Sequence, residues 1–436
     1  MKTTQRILLA AGIAAAAGSA AAQAVPSLDE SRGYAAELLA DAERRTSLLG
    51  SLNHTNGSPF GFASEDGNFV LNLHAWNQTR FNVNFRDDAN DDGFESGFSL
   101  PRTRIRFDGN IVNPDTTYVI EFAFDDESVL VGPGFDPDDF EGDTGVGKLL
   151  DAYFAHNYGN GFTVKIGQAK LPGNRESLIA DNRTQLIEST VVDFVFTLDR
   201  SQFIGLEYRD EQDTFAVNFA FSDGARQKNS SFTDMGDGDF AFTLRGDFAV
   251  LGTVGSLSSA INSAPGGEDR AVLGAFAHYE ENANGDAVDR VQFALFGVDG
   301  YYDSTEGWNI FGQAIGAYTD DESIGDEFFD VGFTLGGGFF VTNQTELFGS
   351  WDCFLADEDR EDITGTEVDP FNVLQVGVNH YPFEGVEDVK LSAGLAVAFD
   401  RTTETGGLFD GAESISLLSD SEDPQFGLVG QVQIGF

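Results

Sequence analysis

The sequence predicts an all-β chain, a transmembrane antiparallel β-barrel of about sixteen strands with a short N-terminal periplasmic helix. Three observations carry that prediction. The 436 residues include 51 glycines and 41 phenylalanines, and long helical patterns nearly vanish after residue 50. That mixture belongs to strands joined by turns. Apolar side chains then recur at every second residue in segments of roughly ten residues, the length a tilted strand needs to cross a bilayer. Finally, tight turns alternate with long acidic loops, as in a barrel whose turns face the periplasm and whose loops face outward.

At the N-terminus, MKTTQRILLAAGIAAAAGSAAAQA sets Lys2 and Arg6 before an apolar run from Ile7 to Ala17 and small residues ending Ala22-Gln23-Ala24. This is the pattern of a signal peptide, residues 1–24, cut after Ala24. The run is shorter than the ~20 residues of a spanning helix. Residues 25–66 read as a periplasmic helix and linker, and 67–436 as the outer-membrane barrel. Within 27–50, Tyr34, Leu38, Leu39, Ala42 and Leu49 recur at helical spacing, and Ser27 with Glu30 forms a capping box. SLNHTNGSPFG follows as the linker.

From Asn68 the period becomes two. In NFVLNLHAWNQTRFNVNFR, Phe69, Leu71, Leu73, Ala75, Phe81, Val83 and Phe85 are apolar, whereas Asn72, His74, Gln78, Arg80, Asn82, Asn84 and Arg86 are polar. TTYVIEFAFDD, GFTVKIGQAK, TFAVNFAFS, GWNIFGQAIGAY and the terminal QFGLVGQVQIGF alternate in the same way. Strands are expected near 68–86, 98–113, 116–126, 148–158, 161–170, 200–210, 214–222 and 238–248. Others are expected near 271–281, 288–302, 306–319, 328–341, 344–355, 372–382, 388–401 and 425–436. A membrane barrel turns its apolar parity to lipid and its polar parity to the lumen. Trp76, Trp308, Trp351, Tyr158, Tyr301, Tyr302 and Tyr381 suit the aromatic girdles at the two interfaces.

The chain carries 72 acidic and 25 basic side chains, and loss of Lys2 and Arg6 takes the formal net charge from −47 to −49. Such a surface repels nucleic-acid phosphates, so no nucleic-acid partner is expected. Against this background FSLPRTRIRFDGN sets Arg102, Arg104 and Arg106 on one face, spaced about 6–7 Å along the strand. Twelve basic residues lie between Arg80 and Arg209, and only eight in the longer stretch from 210 to 436. Arg80, Arg102, Arg104, Arg106, Lys165 and Lys170 are therefore candidates for a pore lining that attracts anions. The rival reading has the arginines brace the wall through Asp108, Glu121, Asp125 and Asp151.

Between the strands near 170 and 200 lies LPGNRESLIADNRTQLIESTVVDFVFTLD, too long and too apolar for an exposed turn. Folded into the barrel it would be a constriction loop, with Arg175, Glu176, Arg183 and Glu188 at the narrowest point. A peripheral hairpin or subunit contact is the other reading.

DDANDDGFE holds Asp88, Asn90 and Asp92 in the order of a calcium loop, but Ser99 stands where that loop needs glutamate. These three are weak calcium candidates, and no metal or other cofactor is expected. The five histidines have no metal-site spacing and no nucleophile elbow appears, so no catalytic activity is expected. Cys353 is the sole cysteine, so no internal disulfide can form.

The stretch from about 67 to 210 resembles the phosphate-selective porin O and P family. LPRTRIRFDGNIVNPDTTYVIEFAFDD is similar to the family's arginine-rich strand and its Tyr-rich successor. KLLDAYFAHNY and FTVKIGQAKLPGNRESL are similar to its Asp-Ala-Tyr strand and its Gly-Gln-x-Lys-x-Pro segment. Phe436 matches the C-terminal aromatic of outer-membrane barrels. The resemblance implies a sixteen-stranded barrel in outer-membrane lipid, usually a homotrimer, through which small hydrophilic solutes or inorganic anions such as phosphate diffuse passively. Arg102, Arg104 and Arg106 match its arginine-rich strand, and Lys165 and Lys170 the strand before its long loop. The chain departs from the family's anion-selective members in its acidic excess and scarcity of lysine. The alternative class is an acidic, calcium-binding surface or structural outer-membrane protein without channel activity.

Overall fold

The computed structural model describes residues 60–86, 93–124, 147–230, 240–259, 268–282, 290–365, 367–409, 411–412, 415–419, 421 and 423–436. The expected signal peptide, the periplasmic helix, most of the linker, and Asp88, Asn90 and Asp92 lie outside the described residues.

Sixteen strands close into one antiparallel barrel. In chain order they are β2 (Val70–Phe85), β3 (Phe94–Asn110), β4 (Thr116–Ala123), β5 (Lys148–Gly159), β6 (Phe162–Lys170), β7 (Arg200–Arg209), β8 (Phe215–Ser222) and β9 (Phe240–Leu251). They continue as β10 (Arg270–Asn282), β11 (Val291–Ser304), β12 (Trp308–Asp321), β13 (Asp326–Thr342), β14 (Thr345–Leu355), β15 (Phe371–His380), β16 (Val389–Ala398) and β19 (Gln425–Gly435). Each pairs with its neighbour in the chain, and β19 closes the ring on β2. Closure removes the free edges that lipid could not satisfy.

Three short strands complete the set. A first strand, β1 (Phe60–Ala63), pairs with the start of β2. Phe60 sits opposite Leu73 and Gly435 opposite Trp76, so the two ends of the barrel sequence lie head to tail along one edge of β2. The rings of Phe60 and Phe436 meet at 5.0 Å. β17 (Gly411–Ala412) and β18 (Leu417–Leu418) form a small hairpin within the β16–β19 connection.

The two faces follow the expected parity. Ile166, Ile204, Leu206, Phe221, Phe242 and Leu244 are exposed on the outside, whereas Gln78, Arg80, Thr243, Arg245, Gln313 and Gln433 are buried inside. Exposed phenylalanine over buried glutamine inverts a water-soluble core and suits a lipid exterior. Trp308, Trp351 and Tyr158 are exposed, but Trp76, Tyr301 and Tyr381 are buried and are not girdle residues. Trp76 shares the parity of Gln78 and Arg80, which carries it inward. Tyr301 is held between two guanidinium groups, Arg175 at 5.4 Å and Arg270 at 5.1 Å from its ring centroid.

At the end of the barrel that carries the tight turns, one connection breaks the rule. The β9–β10 segment spans 252–269, and its described part turns in beneath the strands. Val254 N donates to Asp213 O at 2.7 Å and Tyr301 Oη donates to Val254 O at 3.3 Å. Val254 then packs with Ile179, Val272 and Phe311.

Candidate pore wall and infolded loop

Pairing puts the predicted cations on one inner face. In the β2–β3 ladder His74 faces Arg106, Trp76 faces Arg104 and Gln78 faces Arg102, with Arg80 on the same parity. The next pairs set Arg106 opposite Glu121 and Glu121 opposite Asp151. The result is a compensated wall. Arg106 lies 3.6 Å from Asp108 and 3.8 Å from Glu121, and His74 Nε2 is 2.9 Å from Asp108. Arg200 donates to Asp151 at 2.7 Å. Lys165 pairs with Glu207 and stands 5.4 Å from the Tyr153 ring centroid. Arg106 keeps 33% of its side-chain surface and Lys165 27%, so both still reach water.

Lys165 and Lys170 are five residues apart, an odd spacing that an unbroken strand would split between faces. Gly167 resolves this. Its φ of 136° lies in the region that favours glycine, and a Cβ there would overlap Ala152 O. Beyond this irregularity Lys170 turns to the same loop carboxylate as Arg102 and Arg104.

That carboxylate belongs to the loop 171–199, which crosses the lumen. Its acids dock on the cations. Glu188 accepts from Arg80 at 2.9 Å and from Arg102 at 2.8 and 2.5 Å. Asp181 lies 3.1 Å from Lys170, 3.5 Å from Arg102 and 3.8 Å from Arg104. Loop carbonyls are bound as well. Arg80 donates to Ile187 O, Lys390 to Thr184 O, Gln433 to Asn182 O and Asn379 to Gln185 O. Burial alone would raise the Glu188 carboxyl, but the Arg102 and Arg80 charges outweigh it and hold it at about 2. Asp181 is likewise buried, yet Lys170, Arg102 and Arg104 hold it well below the usual carboxylate range.

The other three loop candidates lie elsewhere. Arg183 donates to Glu387 at 2.9 Å and Asp388 at 3.1 Å, in the connection before β16. Glu176 is buried and accepts from Thr190 N at 2.8 Å, Thr190 Oγ1 at 2.7 Å and Gln313 at 3.1 Å. Burial, then the Asp193 and Asp352 carboxyls, push it well above its ordinary value. Arg175 is buried and donates to Leu257 O and to Ser259 O, in the inturned β9–β10 connection. The loop therefore touches the wall above and that connection below, where Ala180 N donates to Ser258 O at 3.0 Å.

The opposite wall meets the loop mainly through hydrocarbon, with polar contacts from Gln313 to Glu176 and from Gln185 to Glu346. A short helix, α1 (Arg175–Leu178), opens the loop, and a second, α2 (Val191–Phe196), is capped by Thr190, whose Oγ1 accepts from Asp193 N. Val191, Val192 and Phe196 of α2 are buried against Phe276, Leu295, Ile315, Phe354 and Phe371, inner-face residues of β10, β11, β12, β14 and β15. Gly332 on β13 makes room: a Cβ there would stand 2.6 Å from Phe196 and 2.8 Å from Val192. Phe409, Ile415 and Leu417 of the β16–β19 connection join the same cluster. A cavity of about 50 Å³, lined in part by Gln185, Phe311, Thr334 and Ser350, lies between the loop and this side.

Sequence reasoning missed Asp181, Lys390 and the inturned 252–259 segment. Asp181 stands in LIADNRTQ, a polar island within an apolar loop, but nothing in its spacing says which loop acid meets the arginine row. The unusual length of the β9–β10 connection was the visible sign of the third.

A family model of the phosphate-selective porin O and P matches residues 69–286. The chain belongs to this family. The porin is thus a passive-diffusion channel of the bacterial outer membrane, and family and fold point to transport rather than catalysis. Among solved structures it is similar to the outer-membrane channel DcaP of Acinetobacter baumannii, at 14% identity over 86% of this chain and 99% of that one, with a TM-score of 0.54. It is also similar to an anion-selective porin from Comamonas acidovorans, at 12% identity over 84% and 99%, TM-score 0.54. Pseudomonas putida OprB matches at 10% identity over 84% and 94%, TM-score 0.55. At these identities the likeness is one of fold. No curated protein matches the chain by sequence.

Proposed function

We propose that the porin passes small hydrophilic solutes, inorganic anions such as phosphate among them, along the β2–β7 side of its lumen. In this reading Arg102, Arg104, Arg106, Lys165 and Lys170 line or flank the path, and Arg80 anchors the loop behind it. Of the four loop candidates, Glu188 shapes the constriction directly. Arg175, Glu176 and Arg183 act by fixing the loop in place. The observation that carries the reading is the sharing of one inner face by Arg106, Lys165, Tyr153 and Glu207, all partly open, while the facing wall buries a hydrocarbon cluster against the loop. Since each wall cation has a carboxylate nearby, the expected anion preference is small.

The same proposal includes export by the signal peptide 1–24, a periplasmic helix and linker over 25–66, and assembly as a homotrimer in outer-membrane lipid. Planar-bilayer recording tests its core. The purified protein should give ohmic single-channel steps, and reversal potentials in asymmetric KCl should lie slightly on the anion side. Reversing Arg102, Arg104 and Arg106 to glutamate should carry the potential to the cation side. An unchanged potential would remove these arginines from the path. Mass measurement in detergent tests the trimer.

A further inference from the structure

The open face of the lumen carries its charges in matched pairs. On β3, Arg106 lies 3.6 Å from Asp108, and the two keep 33% and 26% of their side-chain surface. Lys165 of β6 pairs with Glu207 of β7, and these keep 27% and 34%. In each pair both signs therefore reach water about equally. The β3 pair has further partners, His74 on Asp108 and Glu121 near Arg106, so Lys165 and Glu207 are the simpler case. Their neighbours leave room and add no opposing charge. Lys165 has Ala155 and Gly205 across its two ladders, and Glu207 has Thr163 and Asn218. Tyr153 of β5 stands between the pairs, its ring centroid 5.4 Å from Lys165 Nζ. Since β4 and β5 separate β3 from β6, the pairs are about 14 Å apart at the usual strand spacing. They form two stations rather than one site.

We infer that these pairs make the channel favour small zwitterions, α-amino acids among them, over neutral solutes of equal size. An ion of one sign drawn to Lys165 meets Glu207 beside it and gains little. A zwitterion gains at both, its carboxylate facing Lys165 and its ammonium facing Glu207. An α-amino acid holds its two charges about as far apart as a salt-bridged pair does, so it can lie antiparallel alongside one. The small Ala155 and Gly205 leave space for it beside the lysine. Partly exposed pairs hold such a solute weakly. Weak contact at more than one station suits passage rather than retention. The inference rests on the channel reading given above and names a solute class for it.

Liposome swelling with the full-length protein tests it, using glycine and its uncharged isomer glycolamide. The two solutes have the same atoms and nearly the same size, so the ratio of their rates reports charge. The unmodified protein should admit glycine about threefold faster, the scale of an exposed pair's contribution. Lys165→Gln and Glu207→Gln should each lower that ratio about twofold. Exchanging the charges, Lys165→Glu together with Glu207→Lys, should keep the ratio high, because a zwitterion can turn round. Variants are compared where heat-modified electrophoretic mobility shows a folded barrel. A ratio of one or less in the unmodified protein overturns the inference, whether or not any variant folds. So does an unchanged ratio in either single variant, or an exchange variant whose ratio falls as far as theirs. Swelling with neither solute would instead remove the channel reading itself.

Discussion

The β2–β7 wall and the β10–β15 wall enclose the same lumen and hold the same loop, the first through ion pairs and the second through a hydrocarbon bed flanked by polar contacts from Gln313, Glu346 and Asn379. On the first, Arg80 and Arg102 grip Glu188 while Lys170, Arg102 and Arg104 surround Asp181. On the second, Val191, Val192 and Phe196 are seated in a bed of Phe276, Ile315, Phe354 and Phe371. Apolar burial is non-directional and expels water, at about 1.5–3 kcal/mol per large side chain. Paired charges fix direction and keep water beside them where burial is incomplete. One wall therefore supplies attachment, and the other supplies both attachment and a polar path. A loop held only by charge would be loosened by salt and acid. A loop held only by hydrocarbon would leave no wet side.

The largest expected effect breaks the charged attachment. Glu188→Ala would leave buried Arg80, with 0% side-chain exposure, and Arg102 side by side without their shared carboxylate. Removing one partner of a buried pair costs roughly 3–5 kcal/mol. A drop in the thermal midpoint, together with noisier current, is the expected outcome. Acid should reach the same state without mutation. The Glu188 carboxyl lies at about 2 in the folded protein against an ordinary 4.5. Its contribution, about 3 kcal/mol, is fully present above pH 4.5 and disappears as pH falls through 2. Unfolding midpoints at pH 6 and pH 2.5 measure it, and identical midpoints would contradict the pairing.

Next in size is the apolar attachment. Phe196→Ala removes a side chain only 3% exposed and should cost about 3 kcal/mol. The comparison sharpens here, because stability should fall while the reversal potential stays where it was. A shifted reversal potential would mean that the apolar side also carries solute.

Smaller still is Lys165→Gln. Its pair with Glu207 is partly exposed, so stability should change by less than about 1 kcal/mol. The reversal potential should nevertheless move measurably toward cations. Arg183→Ala should change stability by no more than that and selectivity less, since Glu387 and Asp388 lie in the connection before β16.

Much of the barrel could be read in the sequence, because a strand between lipid and water must alternate and the code for alternation is local. The inward parity of Arg80, Arg102, Arg104 and Arg106 follows from spacing alone. Lys170 did not follow, because Gly167 shifts the parity and a single glycine among 51 does not announce itself. Loop partners were least legible. Glu188 and Arg102 are 86 positions apart, and Gln433 and Asn182 are 251 apart. Only the closed ring brings such residues together. Trp76 misled because aromatic girdles are read from residue type, whereas its parity places it inside.

The central claim, that solute moves along the charged wall and not along the packed one, is tested most directly by thiol modification during current recording. Cysteine is introduced separately for Lys165 and for Phe276 in a Cys353→Ser background, and a small anionic methanethiosulfonate is added to the bath. The account predicts a stepwise fall in current for Lys165→Cys and none for Phe276→Cys. Equal modification of both, or modification of Phe276→Cys alone, would contradict it.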